Sequence, residues 1–303
     1  MTGKPGAKIG VLLLAHGSPD SVEQVPDFLR NITRGRYVAP EVVEEVKHRY
    51  SAIGQSPLTC WTLQQRDQLQ VQTGIPVYVG MRNWKPLIAD ALNDMRADGI
   101  ERAIVICLAP QNSRTSVGLY RAALGGTESL PFEIDFIDCW HDHPLLIQAF
   151  AEKLQIGWRH ACDQASARIP VIFTAHSVPL RTIIDGDAYE AQAKETAALV
   201  AKQAGLDPAD WVFAFQSQGM SGGEWLGPTV EDTISRLRQQ GKPGVFVHPI
   251  GFLCDHVEVL YDVDIGFQKF AADQGMHLWR AGSLNDSPLL TAALADLVQS
   301  RLR

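Results

Sequence analysis

The sequence predicts an α/β chain of two similar halves, each a four-stranded parallel sheet flanked by helices. Three observations carry that prediction. Short apolar runs alternate with longer segments of helical period along the whole chain. The runs are apolar throughout rather than alternating, which suits parallel strands covered on both faces. Finally, "VLLLAHGSPD" (11–20) returns as "VIFTAHSVPL" (171–180): an apolar run, then Ala-His, a Ser within two residues, then Pro.

In chain order, the first half places strands at 9–15, 75–80, 103–109 and 132–137. Between them, "PLIADALNDMRADG" (86–99) reads as a helix opening on Pro and closing on Gly. The domain boundary follows "DFIDCWHDHP", with domains at 1–148 and 149–303. A helix from about residue 143 to 161, capped by Asp142, crosses it. The second half places strands at 170–175, 211–217, 244–249 and 276–279. It adds a helix at 228–241 and another opening near Asp255, which caps it. The final "SPLLTAALADLVQSRL" sets Leu289, Leu290, Ala293, Leu294 and Leu297 on one helical face, able to pack back on the first domain.

Composition narrows the function classes. A 46% hydrophobic, 20% charged chain is ordinary globular material, and no apolar run approaches a membrane span. "MTGKPGAK" leads straight into a strand, so no signal peptide is read. A net charge of −7 argues against bulk nucleic-acid binding, so an anionic ligand needs local Arg or Lys. Five cysteines with no Cys-x-x-Cys pair suit reduced cytoplasm rather than a disulfide framework or zinc ribbon.

Both Ala-His motifs end the first strand of their half, the end where open parallel sheets bind ligands. The expected picture is two facing sites across an interdomain cleft. His176 projects there, and neutral imidazole suits divalent iron and takes protons near neutrality. In "GFLCDHVEVLYDVD" (251–264), Glu258 and Asp262 stand at i and i+4, a hard-donor track for a cation, with His256 turned away. The first half offers Arg30, Arg34 and Arg36 in "RNITRGR", then Arg49, Tyr50, Ser56, Arg114 and Tyr120. Guanidinium forks and hydroxyls of this kind suit carboxylates. "QGMSGGEWLG" (218–227) lacks dinucleotide spacing and reads as a pocket loop that lets Trp225 approach a flat ligand.

Together these residues resemble the ferrochelatase family, most of all bacterial coproporphyrin III ferrochelatases. The motifs are "RGR…RYSAIGQSPL", "VGMRNW", "CLAPQNSRTSVGLY", "FTAHSVP", "FQSQGMSGGEWLGP" and "PIGFLCDHVEVLYD", in order over nearly the whole chain. The resemblance implies two Rossmann-like domains of the class II chelatase type and insertion of Fe²⁺ into coproporphyrin III in haem biosynthesis. It implies catalysis and metal binding by His176 and Glu258, with Asp262 an acidic position on the same helix. Arg49, Tyr50, Ser56 and Tyr120 fall near the porphyrin, with Thr33 at a position often Arg; Arg34, Trp225 and His16 join the porphyrin set. His16 stands where several coproporphyrin enzymes carry a Tyr that is an axial ligand to the metallated product.

Departures from the family pattern matter too. Gly266 interrupts the acidic track beyond Asp262, and no Cys follows Cys254, so no C-terminal iron–sulfur cluster is expected; Fe²⁺ is substrate and no further cofactor is implied. A short connection from "RGR" to "RYSAIG" lacks the hydrophobic lip of protoporphyrin enzymes, which favours coproporphyrin. The alternatives are a protoporphyrin IX ferrochelatase, a cobalt or nickel tetrapyrrole chelatase suggested by "AHGS", and a non-enzymatic haem or coprohaem carrier. A cytoplasmic monomer passing its product to a transient acceptor protein completes the expectation.

Overall fold

The computed structural model describes residues 7–125, 130–219 and 223–303. The chain forms two compact units. The first comprises 1–110, 116–140 and 290–303, and the second 111–115 and 141–289.

In the first unit, β1 (Ile9–Ala15) leads through α1 (Val25–Ile32), α2 (Pro40–Ile53) and α3 (Leu58–Thr73) to β2 (Val77–Met81). There follow α4 (Ile88–Ala97), β3 (Arg102–Cys107), α5 (Val117–Ala123) and β4 (Glu133–Ile137). The strands are parallel in the order β2-β1-β3-β4. Val11 to Leu14 are fully buried, as a central strand covered on both faces requires. Leu12 and Leu14 pack with Val105, Ile88, Ala91 and Met95, so α4 closes one face of the sheet.

The second unit opens with α6 (Pro144–Ala165) and β5 (Val171–His176). It continues through α7 (Leu180–Ile184), α8 (Tyr189–Ala204), β6 (Trp211–Gln216), α9 (Val230–Gln239) and β7 (Gly244–Pro249). Then come α10 (Val257–Leu260), a π-helical turn (Asp262–Phe267), α11 (Gln268–Asp273) and β8 (His277–Arg280). Its strand order, β6-β5-β7-β8, repeats that of the first sheet. Ile172 packs with Val230, Ile234, Val245 and Val247. The last helix, α12 (Pro288–Leu302), belongs from Leu290 onward to the first unit, where Thr291 donates to Gln68 at 2.9 Å.

All eight expected strands are present, each within about two residues of its predicted ends. The boundary differs from 148/149: the chain changes unit at His141, and α6 packs as one piece on α8 and β7. His143, not Asp142, caps that helix, its ring nitrogen accepting from the Leu145 N–H at 3.3 Å. The helix expected at 86–99 is shorter at both ends, and at its start the Pro86 carbonyl accepts from Met81 N–H outside the helix. Among the described residues no helix is long and apolar enough to cross a membrane.

Candidate active site

Each sheet has its first strand in the second position, flanked by strands reached in opposite directions. That is the topological switch point, and ligands of open α/β sheets bind beyond the strand ends there. His16 follows β1 and His176 ends β5, so the repeated motif occupies this place in both units.

In the second unit, His176 is fixed through its backbone and its ring. The Tyr189 hydroxyl donates to the His176 carbonyl at 2.8 Å, and the next residue, Ser177, donates from N–H to Gln216 at 2.7 Å. Gly251 lets the chain after β7 pass close to the end of β5: a Cβ there would meet Ala175 Cβ at 2.7 Å. On the ring, Nδ1 lies against the Ser177 carbonyl oxygen and Nε2 stands 3.4 Å from Glu258 Oε1. The side chains are 30% and 38% exposed, so the pair is reachable by a solute. Burial alone would lower the His176 pKa, but Glu258, the Ser177 carbonyl and Asp262 outweigh it and raise it to about 9. The Trp225 ring lies 6.5 Å from the imidazole, and Gly219 gives that indole room. Residues 220–222 of the Gly-rich loop lie outside the described residues.

Glu258 reaches this position from a helix shorter than the sequence suggested. His256, not Asp255, caps α10, its Nδ1 accepting from the Glu258 N–H at 3.0 Å. Burial lowers the His256 pKa, which keeps that lone pair available. Asp255 is drawn off instead by Ser283, Asn285 and Arg280. Gln216 clamps the Glu258 carbonyl at 2.8 Å. After Tyr261 the chain widens into the π turn, closed by Gly266 N–H to the Tyr261 carbonyl at 2.8 Å. Such turns recur at functional sites. Asp262 opens it, and its carboxylate is taken by the Ser217 hydroxyl. Ser217 itself holds a positive φ of 59°, uncommon for a non-Gly residue.

The expected ligand set of three is therefore a pair with a nearby third carboxylate. Among the described residues no group of three His, Cys, Asp or Glu side chains stands close enough to hold a metal ion. Two donors leave most of an ion's coordination to water, which suits an ion that must be passed on rather than stored.

In the first unit, His16 is exposed, with Nδ1 3.0 Å from the Gly17 carbonyl and Nε2 2.9 Å from the Asn83 amide nitrogen. Phe28 stands edge-on to His16, Tyr50 and Trp84 with centroids 6.0, 6.3 and 6.0 Å away. Tyr50 is buried, its hydroxyl 3.1 Å from Ser18 Oγ. Ser56 is buried with no hydrogen-bond partner among the described residues. Arg34 is exposed at a positive φ, and Arg49 pairs with Glu45 at 2.9 Å. Thr33 is buried, and its hydroxyl lies 2.9 Å from the Leu29 carbonyl and 3.0 Å from that of Arg36. Its hydroxyl proton is used within the loop that follows α1.

Arg82 was missed by sequence reasoning, although it lies in "VGMRNW". Its guanidinium lies 5.4 Å from the buried Tyr120 ring, and its Nη1 is buried without a hydrogen-bond partner among the described residues. Burial lowers its pKa, Tyr120 opposes that, and nearby Arg34 adds to it. A cation held beside another cation, with no carboxylate drawn to it among the described residues, is arranged for an anion that arrives from outside. The signal was a lone Arg directly beyond a buried strand, at the ligand-binding end of the sheet.

The family model for ferrochelatase matches residues 8–302. The chain belongs to the ferrochelatase family. It is 54% identical to the ferrochelatase of Acidobacterium capsulatum over 97% of this chain and 95% of that protein. It is 35% identical to the coproporphyrin III ferrochelatase of a Geobacillus species, over 98% of each chain. Among solved structures, SirB of Bacillus subtilis with Fe³⁺ aligns with a TM-score of 0.58 over 97% of this chain and 95% of that one. At 11% identity that likeness speaks for the fold alone. Ferrochelatase membership makes the protein a metal chelatase, a lyase whose substrates are Fe²⁺ and a porphyrin, and the carrier alternative falls.

A pH dependence follows from the His176–Glu258 pair. With its pKa raised to about 9, His176 is protonated at pH 7.5, so an ion ligated by its Nε2 would have to displace that proton. Fe²⁺ binding is expected to tighten about tenfold per pH unit up to about pH 9 and level off above it. Anaerobic calorimetry in buffers of different ionisation enthalpy should show about one proton released per ion, absent in His176→Ala.

Proposed function

We propose that this ferrochelatase acts on coproporphyrin III, giving iron coproporphyrin for haem synthesis. The observation that carries the reading is Arg82, a half-buried cation whose Nη1 is buried without a carboxylate among the described residues, with Arg34 beside it. Coproporphyrin has four carboxylates where protoporphyrin IX has two, so it offers more to such a surface. The 35% identity to a named coproporphyrin III ferrochelatase is compatible with this. Arg34, Arg49, Tyr50, Ser56 and Tyr120 are assigned to the macrocycle and its carboxylates, and Trp225 to its flat face.

His176 and Glu258 receive Fe²⁺, and Asp262 guides the ion or the departing protons. When iron moves to the pyrrole nitrogens, His176 Nε2 is left bare beside Glu258 and takes one pyrrole proton, restoring the resting pair. The second leaves by way of Glu258. Holding the macrocycle bent toward the metal draws on binding energy from its rim. His16 meets the metallated macrocycle through Nε2. The reaction as written needs no resident cofactor.

Anaerobic assays with Fe²⁺ and either coproporphyrin III or protoporphyrin IX decide the substrate. Coproporphyrin is expected to show the higher kcat/KM, and a preference for protoporphyrin would overturn the reading. Arg82→Leu is expected to raise KM for coproporphyrin about tenfold, with a smaller change for protoporphyrin, since a charged hydrogen bond is worth roughly 1.5–3 kcal/mol.

A further inference from the structure

The two strand-end histidines are built alike up to one atom. In both, Nδ1 lies against the carbonyl oxygen of the next residue, Gly17 or Ser177. A carbonyl only accepts, so Nδ1 carries a proton in each, and the neighbour of Nε2 decides what Nε2 does. At His176 that neighbour is the Glu258 carboxylate, an acceptor. At His16 it is the Asn83 side-chain amide nitrogen at 2.9 Å, a donor. Nε2 of His16 is therefore a lone pair, and Asn83 holds it.

Asn83 is built for that task. It is 4% exposed, its backbone N–H donates to the His16 carbonyl at 3.0 Å, and its backbone carbonyl accepts from the Asn31 side-chain amide at 3.0 Å. Its backbone is thus fixed beside the histidine, which remains exposed.

We propose that Asn83 is a positioning residue that keeps His16 in the metal-binding tautomer and competes with iron for its Nε2 lone pair, so that the iron porphyrin is ligated reversibly and released. The proposal rests on the reading that His16 meets the metallated macrocycle. Its cost to product affinity is that of one neutral hydrogen bond, about three- to tenfold.

The test uses ferric coproporphyrin III with the full-length protein, following the absorption spectrum, the affinity and the dissociation rate. Asn83→Leu removes the competing donor and is expected to tighten binding about three- to tenfold by slowing dissociation, with the histidine-ligated spectrum retained. Asn83→Asp puts an acceptor at Nε2, as in the second unit, and is expected to weaken binding and remove the histidine signature. Both effects should vanish in a His16→Ala background. A merely structural role would weaken binding in both variants, so Leu binding no tighter than wild type overturns the proposal. If His16→Ala leaves the spectrum unchanged, the reading of His16 falls and the proposal with it. If His16→Ala alters the spectrum while Asn83→Leu fails to tighten binding, only the role of Asn83 falls.

Discussion

Replacing His176 with Ala is expected to lower kcat for iron insertion by about 10²–10⁴, with porphyrin affinity nearly unchanged. The imidazole has two proposed duties, receiving the ion and taking a pyrrole proton, and both depend on Glu258 at 3.4 Å. Glu258→Gln should therefore cost a comparable amount and bring the His176 pKa down, since Glu258 is the leading cause that raises it. The double variant should be little worse than either single one, because residues that act as a unit lose their function together. Pre-steady-state absorbance of porphyrin metallation measures this directly. Multiplicative effects of the two substitutions would mean that they act independently, and a His176→Ala enzyme at near wild-type rate would remove the proposed mechanism.

Replacing Gly17 with Ala is expected to destabilise the first unit by about 2–4 kcal/mol, through two separate faults. The residue holds a φ of +86°, and its new Cβ would lie 2.8 Å from the Trp84 backbone nitrogen. That nitrogen belongs to rigid chain and cannot swing aside. Gly99→Ala is the control, since Gly99 has a φ of +70° with nothing within 4 Å, so only the backbone term of about 1 kcal/mol remains. Chemical denaturation of both variants should show the larger loss at Gly17, and equal losses would mean that the contact with Trp84 relaxes freely. The change would also disturb His16, whose carbonyl accepts from Asn83 beside Trp84.

These two positions show how local signals and tertiary contacts divide the problem. His176 sits in the repeated motif and was legible from it, because a buried strand followed by Ala-His is a local pattern, whereas the demand for Gly17 comes from where Trp84 packs. Asp255 was misread as a helix cap because Asp is a common cap in isolation, while in the fold Arg280, Ser283 and Asn285 claim its carboxylate. The partners of the Thr33 hydroxyl were not legible either, because those carbonyls come together only once α1 has ended and the chain has turned.

The sequence by itself determined the two parallel sheets, the strand ends that carry His16 and His176, and, through its motifs, membership of the ferrochelatase family. Strand burial and period are properties of contiguous residues, so they survive without a third dimension. Only the tertiary structure decided the partner at each Nε2, a carboxylate for His176 and an amide for His16. It alone brought the Arg82 guanidinium over Tyr120 with no carboxylate drawn to it among the described residues, and placed the π turn that begins at Asp262. Those partners come from segments tens of residues away in sequence, and a hydrogen bond's direction depends on ångström-scale placement that no local pattern encodes.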